Sequence, residues 1–242
     1  MTVYSAVKMT DSYSFRYYYN KLSPKEQSVY YQMLNCFIAH SSKLLLNKNC
    51  SLAEIDRIRR CVECDNPLIG FLSPTQQYIE VAGIVEELFF EYRLSQKLQK
   101  GVNKDIDAQI DRIVVYSNQY NDDLDRVRAA HDYFCQMDYD YDFKPYSFTP
   151  AGSLLYGKSV CKGISLAFKA VLDKLKIPCV AVFGTHEGEG HAWNFVFCNG
   201  KWRHMDVTFD MCFSDNQNTS YRYFDTPSEL LTDYKSTIFN LD

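Results

Sequence analysis

The chain has 242 residues, room for one large domain or two small ones, and 46% of them are apolar, enough for a packed core. Its 26 basic and 30 acidic residues leave a formal net charge of −4, which gives no electrostatic basis for binding nucleic acid or an anionic membrane. Nine scattered cysteines, an odd number, do not fit a small disulfide scaffold, and no stretch approaches the ~20 apolar residues of a membrane span. Residues 1–20 are polar and tyrosine-rich, without a basic segment leading into an apolar one. The expectation is a cytoplasmic protein with reduced thiols; export without a signal peptide stays open. Ser23-Pro24-Lys25-Glu26 reads as a helix start, with Ser23 as cap and Glu26 bonding back to it. Val29, Met33 and Phe37 then continue at helical spacing. Ser51-Leu52-Ala53-Glu54 repeats the signal, and Asp65-Asn66-Pro67 stops that helix. Over 78–95, the β-branched and aromatic content and Gly83 favour two strands around a loop at 83–87 rather than one helix. Asn103 is expected to cap a helix carrying Ile106, Ile110, Ile113 and Val114, and Asp122 or Asp123 to start another. Residues 160–175 read as a helix, followed by strands at 179–183, 191–198 and 201–208. Asn199-Gly200 is the signature of a two-residue hairpin turn between the last two strands. Thr226-Pro227-Ser228-Glu229 is expected to open a final short helix. Helices first, then a helix feeding an antiparallel sheet, is an α+β order.

Three segments carry chemistry. In Gly157-Lys158-Ser159-Val160-Cys161-Lys162-Gly163, a cysteine stands at a helix start, where unpaired N–H groups and the helix dipole favour negative charge. The thiolate is the form that attacks. Gly190-His191-Ala192-Trp193-Asn194 opens a strand, and Asp206-Val207-Thr208-Phe209-Asp210 follows the hairpin. A two-residue turn at Asn199-Gly200 pairs His191 with Thr208 and Trp193 with Asp206. Asp206 then becomes a diagonal neighbour of His191 on one face, roughly 7–8 Å away at the backbone. A carboxylate there can hold the imidazole, and a helix tip bearing Cys161 completes nucleophile, base and orienter.

In this order the three segments resemble the transglutaminase-like superfamily. Its bacterial members carry Gly-x-x-Val-Cys-x-Gly, His-Ala-Trp-Asn and Asp-Val-Thr-Trp-Asp. The resemblance covers roughly residues 105–225. Phe209 replaces the usual Trp, and Ile164-Ser165 stands where Tyr-Ala is common. The resemblance implies a papain-like, transglutaminase-like core at 104–242, with the nucleophile helix packed on an antiparallel sheet. A mainly helical region at 1–103, with the β-hairpin at 78–95, precedes it. It implies Cys161, His191 and Asp206 as a catalytic triad for acyl transfer on protein glutamine carboxamides through a thioester. A cysteine peptidase with the same triad is the alternative, and a non-catalytic binding module keeping the fold is the second alternative. The Cys161 N–H is the expected oxyanion donor, with the Tyr156 hydroxyl as a second. Trp193 is either a wall of the site or core. The expected partner is a protein or peptide substrate, with no cofactor, metal, nucleic acid or membrane; the oligomeric state stays open.

The remaining signals read as structural. Cys61-Val62-Glu63-Cys64 has the spacing of half a zinc site, but no second such pair exists. Asp138, Asp140 and Asp142 imitate the start of a calcium loop, but Phe143 stands where glycine is needed. Asn194 is expected to point to the opposite face of its strand, His40, His131 and His186 carry no partner signal, and His204 is expected at a packing or surface position.

Overall fold

The computed structural model describes residues 15–69, 71–215, 217–227 and 231–238. After a short helix α1 (Tyr17–Lys21), helix α2 (Pro24–Ile38) begins on a full capping box. Ser23 accepts the Glu26 N–H, and the Glu26 carboxylate accepts the Ser23 N–H at 2.9 Å. Strand β1 (Lys43–Cys50) leads to helix α3 (Leu52–Asp65), whose box is Ser51 with Glu54. Strands β2 (Leu72–Val81) and β3 (Ile84–Tyr92) then form a hairpin, and the sheet order is β1-β3-β2.

Two strands are therefore present over 78–95, but their turn is tighter than a loop at 83–87. Ala82 and Gly83 have φ of 51° and 80°, so two residues reverse the chain and β3 starts at Ile84. Glu87, assigned to the loop, is a strand residue whose carboxylate meets Lys43 at 2.6 Å. Strand β1 was not expected; it joins the hairpin in a three-stranded sheet beside helices α1, α2 and α3.

Helix α4 (Gln96–Ser117) starts earlier than expected. Ser95 is the cap, its hydroxyl accepting the Leu98 N–H. Asn103 lies inside the helix, where its amide donates to the Leu68 carbonyl at 3.3 Å. The division between 103 and 104 thus falls within α4. Helix α5 (Asp123–Phe134) is capped by Asp122 as expected.

Strand β4 (Asp138–Tyr139), helix α6 (Pro150–Tyr156), strand β5 (Lys158–Ser159) and helix α7 (Cys161–Lys174) follow. The main sheet adds β6 (Cys179–His186), β7 (Glu189–Cys198), β8 (Lys201–Met205), β9 (Phe224–Thr226) and β10 (Tyr234–Ser236) in the order β10-β6-β7-β8-β9. Helix α8 (Val207–Phe213) lies between β8 and β9. Thr226 ends a strand instead of capping a helix; the rest of that expected helix meets residues 228–230, outside the described residues.

The sheet is covered on both faces, as side-chain alternation along a strand allows. Cys179, Val196, Cys198 and Met205 join Phe168, Val171 and Leu172 of α7 in one core. Val180, Val182 and Trp193 join Met33, Ile55, Ile58 and Leu88 of the N-terminal elements in the other. Polar ties fasten the two layers. Buried Lys169 donates to Asp173 at 2.9 and 3.0 Å, to the Cys179 carbonyl at 3.0 Å and to the Phe15 carbonyl at 3.1 Å. Lys162, in the first turn of α7, meets Glu63 of α3 at 2.8 Å. The architecture is a mixed helix and sheet fold with α7 packed on an antiparallel sheet. Among the described residues, no helix is long and apolar enough to cross a membrane.

Candidate active site

The segment before Cys161 is fixed from three sides. Gly157 closes α6 with φ 64°, a left-handed conformation that glycine adopts without steric cost. Lys158 and Ser159 pair in parallel with Asp138 and Tyr139, and the Ser159 hydroxyl donates to the Ser147 carbonyl at 2.7 Å. Val160 then serves as the α7 N-cap and makes no side-chain cap hydrogen bond of its own. Gly163 packs this loop against the helix: a Cβ there would collide with the Ser147 carbonyl oxygen and the Ser159 hydroxyl. Cys161 itself is half-buried.

His191 lies beside the Cys161 thiol, near enough for the thiol to act on its charge. Its Nε2 lies 2.6 Å from Asp206 Oδ2, which leaves Nδ1 as the ring nitrogen for the thiol. Burial alone would lower the pKa of His191; hydrogen bonds to Asp206 and Cys161 outweigh it and push the value up to about 9. Phe209 stacks on the imidazole at 4.6 Å and 18°, so the residue that departs from the resembled motif still supplies a flat aromatic face. Trp193 lies nearly parallel at 6.1 Å but is 2% exposed and belongs to the core.

The hairpin register is the expected one from Cys198–Lys201 to Asn194–Met205, and there the ladder ends. Asp206 does not continue it. Its φ of −114° and ψ of 83° turn the chain into α8, which it caps by accepting the Phe209 N–H at 3.1 Å. Aspartate at a cap satisfies donors that a strand position would leave for a neighbour. Thr208 is therefore helical rather than opposite His191, and Asp206 meets the imidazole from the head of a helix.

Two hydroxyls at the site carry no sequence signal. The Tyr139 phenol, brought alongside by the β4–β5 pairing, faces both the backbone N–H and the thiol of Cys161; burial first and the thiol next push its pKa up to about 12. Tyr234 of β10 donates to Asp206 Oδ2 at 2.9 Å. Tyr156, expected here, ends α6 instead. It is 59% exposed and packs on Tyr146 at 4.4 Å, and no described contact joins it to Cys161.

Other residues sort as follows. His204 is buried, its two ring nitrogens without a hydrogen-bond partner among the described residues, and burial pushes its pKa down to about 4. His131 is buried against Asp210 at 3.2 Å, joining α5 to α8. Cys61 and Cys64 are buried along α3. Asp140 organises its loop by accepting the Asp142 and Lys144 N–H groups at 3.1 and 2.9 Å. Among the described residues, no group of three or more His, Cys, Asp or Glu is placed to hold a metal ion.

Residues 111–207, which contain Cys161, His191 and Asp206, match the family model of the transglutaminase-like superfamily core. This segment belongs to the transglutaminase-like superfamily. Kyphoscoliosis peptidase of Mus musculus is 27% identical over 118 residues, which is 42% of this chain and 18% of the mouse protein. Its Homo sapiens counterpart is 26% identical over the same extent. The matched part therefore spans less than a fifth of these relatives' length. The crystal structure of a TGase superposes with a TM-score of 0.44 at 14% identity, covering 76% of this chain and 55% of that one. The N-terminal sheet and Tyr234 lie outside the transglutaminase-like segment.

Proposed function

We propose that this chain catalyses cysteine-dependent acyl transfer on protein glutamine carboxamides, with Cys161, His191 and Asp206 as its catalytic residues. The observation that carries the reading is the grouping at the tip of α7: a thiol beside an imidazole whose Nε2 is 2.6 Å from a buried carboxylate. In this reading the Cys161 sulfur attacks the carboxamide carbon, and a C–S bond forms while the carbonyl oxygen takes the negative charge. The Cys161 N–H and the Tyr139 hydroxyl stand beside that oxygen. The tetrahedral adduct collapses, the C–N bond breaks, and the proton held by His191 leaves with ammonia. A lysine amine or water then attacks the thioester, giving its proton to His191 and releasing the sulfur. Asp206 holds the ring in register and balances its positive charge throughout.

The named relatives favour a second reading, peptide-bond cleavage by the same steps with an amine leaving from the main chain. Incubation with a glutamine-rich protein and a fluorescent primary amine separates the two. Covalent incorporation of the amine, or conversion of glutamine to glutamate, is expected; new peptide termini without either would favour the peptidase. Turnover that survives in Cys161→Ala would end both.

A further inference from the structure

Strand β10 brings a hydroxyl to the site from outside the transglutaminase-like segment. Gly184 admits it: a Cβ at that position would collide with the Lys235 carbonyl oxygen and with the indole edge of Trp193. With the space open, Ser236 pairs with Gly184 and Tyr234 with His186, and the Thr237 N–H closes on the Phe183 carbonyl at 3.0 Å. Ring contacts with His186 at 4.4 Å, His204 at 4.5 Å and Trp193 at 5.0 Å hold the Tyr234 phenol in one place. Its O–H reaches Asp206 Oδ2, the same oxygen that meets His191 Nε2, while Oδ1 takes the Phe209 N–H. One carboxylate thus serves three donors, two of them on one oxygen.

We propose that Tyr234 is a positioning residue whose hydroxyl shares Asp206 Oδ2 with His191 and so limits how tightly the imidazole holds its proton. The proposal rests on the reading above, in which His191 must both take and give a proton. A carboxylate that accepts another hydrogen bond attracts a neighbouring proton less strongly. With the hydroxyl gone, Oδ2 turns wholly to His191, and an imidazole already held protonated to about pH 9 becomes a poorer base near neutrality. The Phe209 N–H still anchors Asp206, so the change falls on charge rather than on place. The groups facing His191 are Cys161 from α7, Asp206 at the head of α8, His186 from β6, His204 from β8 and Tyr234 from β10. Tyr139 of β4 faces Cys161, Cys212 of α8 borders Asp206, and Asp210 and Tyr223 border Tyr234.

The test is an NMR titration of the His191 ring in the full chain, its signal assigned by loss in His191→Gln. Tyr234→Phe should raise the His191 midpoint by about half a pH unit or more, and Asp206→Asn should lower it. A Tyr234→Phe midpoint equal to or below that of the unsubstituted protein, or an Asp206→Asn midpoint that does not fall, overturns the proposal. The titration needs no turnover. Activity persisting in Cys161→Ala would therefore refute the catalytic reading without moving this result.

Discussion

His191 Nε2 and Asp206 Oδ2 stand 2.6 Å apart, and the same carboxylate caps α8 through the Phe209 N–H at 3.1 Å. Asp206 thus serves the site and the fold, and two substitutions part the roles. Asparagine caps a helix about as well as aspartate but cannot balance an imidazolium. Asp206→Asn should therefore lower turnover about 10²- to 10⁴-fold while the α8 cap is kept. Asp206→Ala removes the cap as well and should cost about a further 1 kcal/mol of stability. Steady-state kinetics and thermal unfolding of both variants check the pair; equal stability of the two would refute the capping role.

Cys161 and Cys212 are the two cysteines of nine that are not buried. Only Cys161 sits against an imidazole at a helix start, so the two thiols form an internal comparison. Iodoacetamide should abolish turnover in step with alkylation of Cys161, with Cys212 alkylation having no bearing on the rate. Cys161→Ala should be inactive and should unfold within about 1 kcal/mol of the unsubstituted protein, because alanine suits a helix and the position is only half-buried. Peptide mass spectrometry beside residual activity reads both outcomes.

Tyr139 faces the backbone N–H and the thiol of Cys161, beside the place that the proposed reaction gives to the carboxamide oxygen. Tyr139→Phe should lower kcat about 10- to 10²-fold with KM little changed, since the lost contact strengthens only as the oxygen takes up charge. An equal loss through KM would assign the hydroxyl to substrate binding instead.

These residues were not equally legible. Cys161, His191 and Asp206 each sit in a short motif, and Asn199-Gly200, with φ of 51° and 77°, sets the register that carries His191 toward Asp206. The exit of Asp206 from the ladder was not visible, because strand and cap compete for the same residue and the Phe209 N–H decides it. Tyr139 and Tyr234 reach the site through a parallel bridge and an added edge strand, contacts between distant segments that leave no local period. Strand β1 escaped notice for a related reason. Leu44-Leu45-Leu46 does not alternate apolar with polar, and its hydrogen bonds come from β3, some forty residues on. Ser95 outcompeted Asn103 as a cap because Asn103 finds the Leu68 carbonyl, a partner that only the fold provides.

Buried histidines of opposite tendency should give the protein a stability maximum in the mildly acidic range. Burial pushes the His204 pKa down to about 4, from an ordinary value of 6.5. Between those values the unfolded chain binds a proton that the folded chain refuses, so this contribution is present above 6.5 and lost as pH falls toward 4. For His191 burial is outweighed by Asp206 and Cys161, and the value rises to about 9. The folded chain then holds the extra proton, and the contribution is present below 6.5 and lost as pH rises through 9. His131, held well above its usual range by Asp132 and Asp210 against the effect of burial, acts in the same direction as His191. His204→Phe keeps a ring of similar size and removes two buried nitrogens that have no described partner. It should flatten the acid side of the melting-temperature profile and leave the alkaline side in place. Asp206→Asn should do the reverse. Thermal unfolding from pH 4 to 9.5 reads both, and an acid limb in His204→Phe as steep as in the unsubstituted protein would exclude His204 as its source.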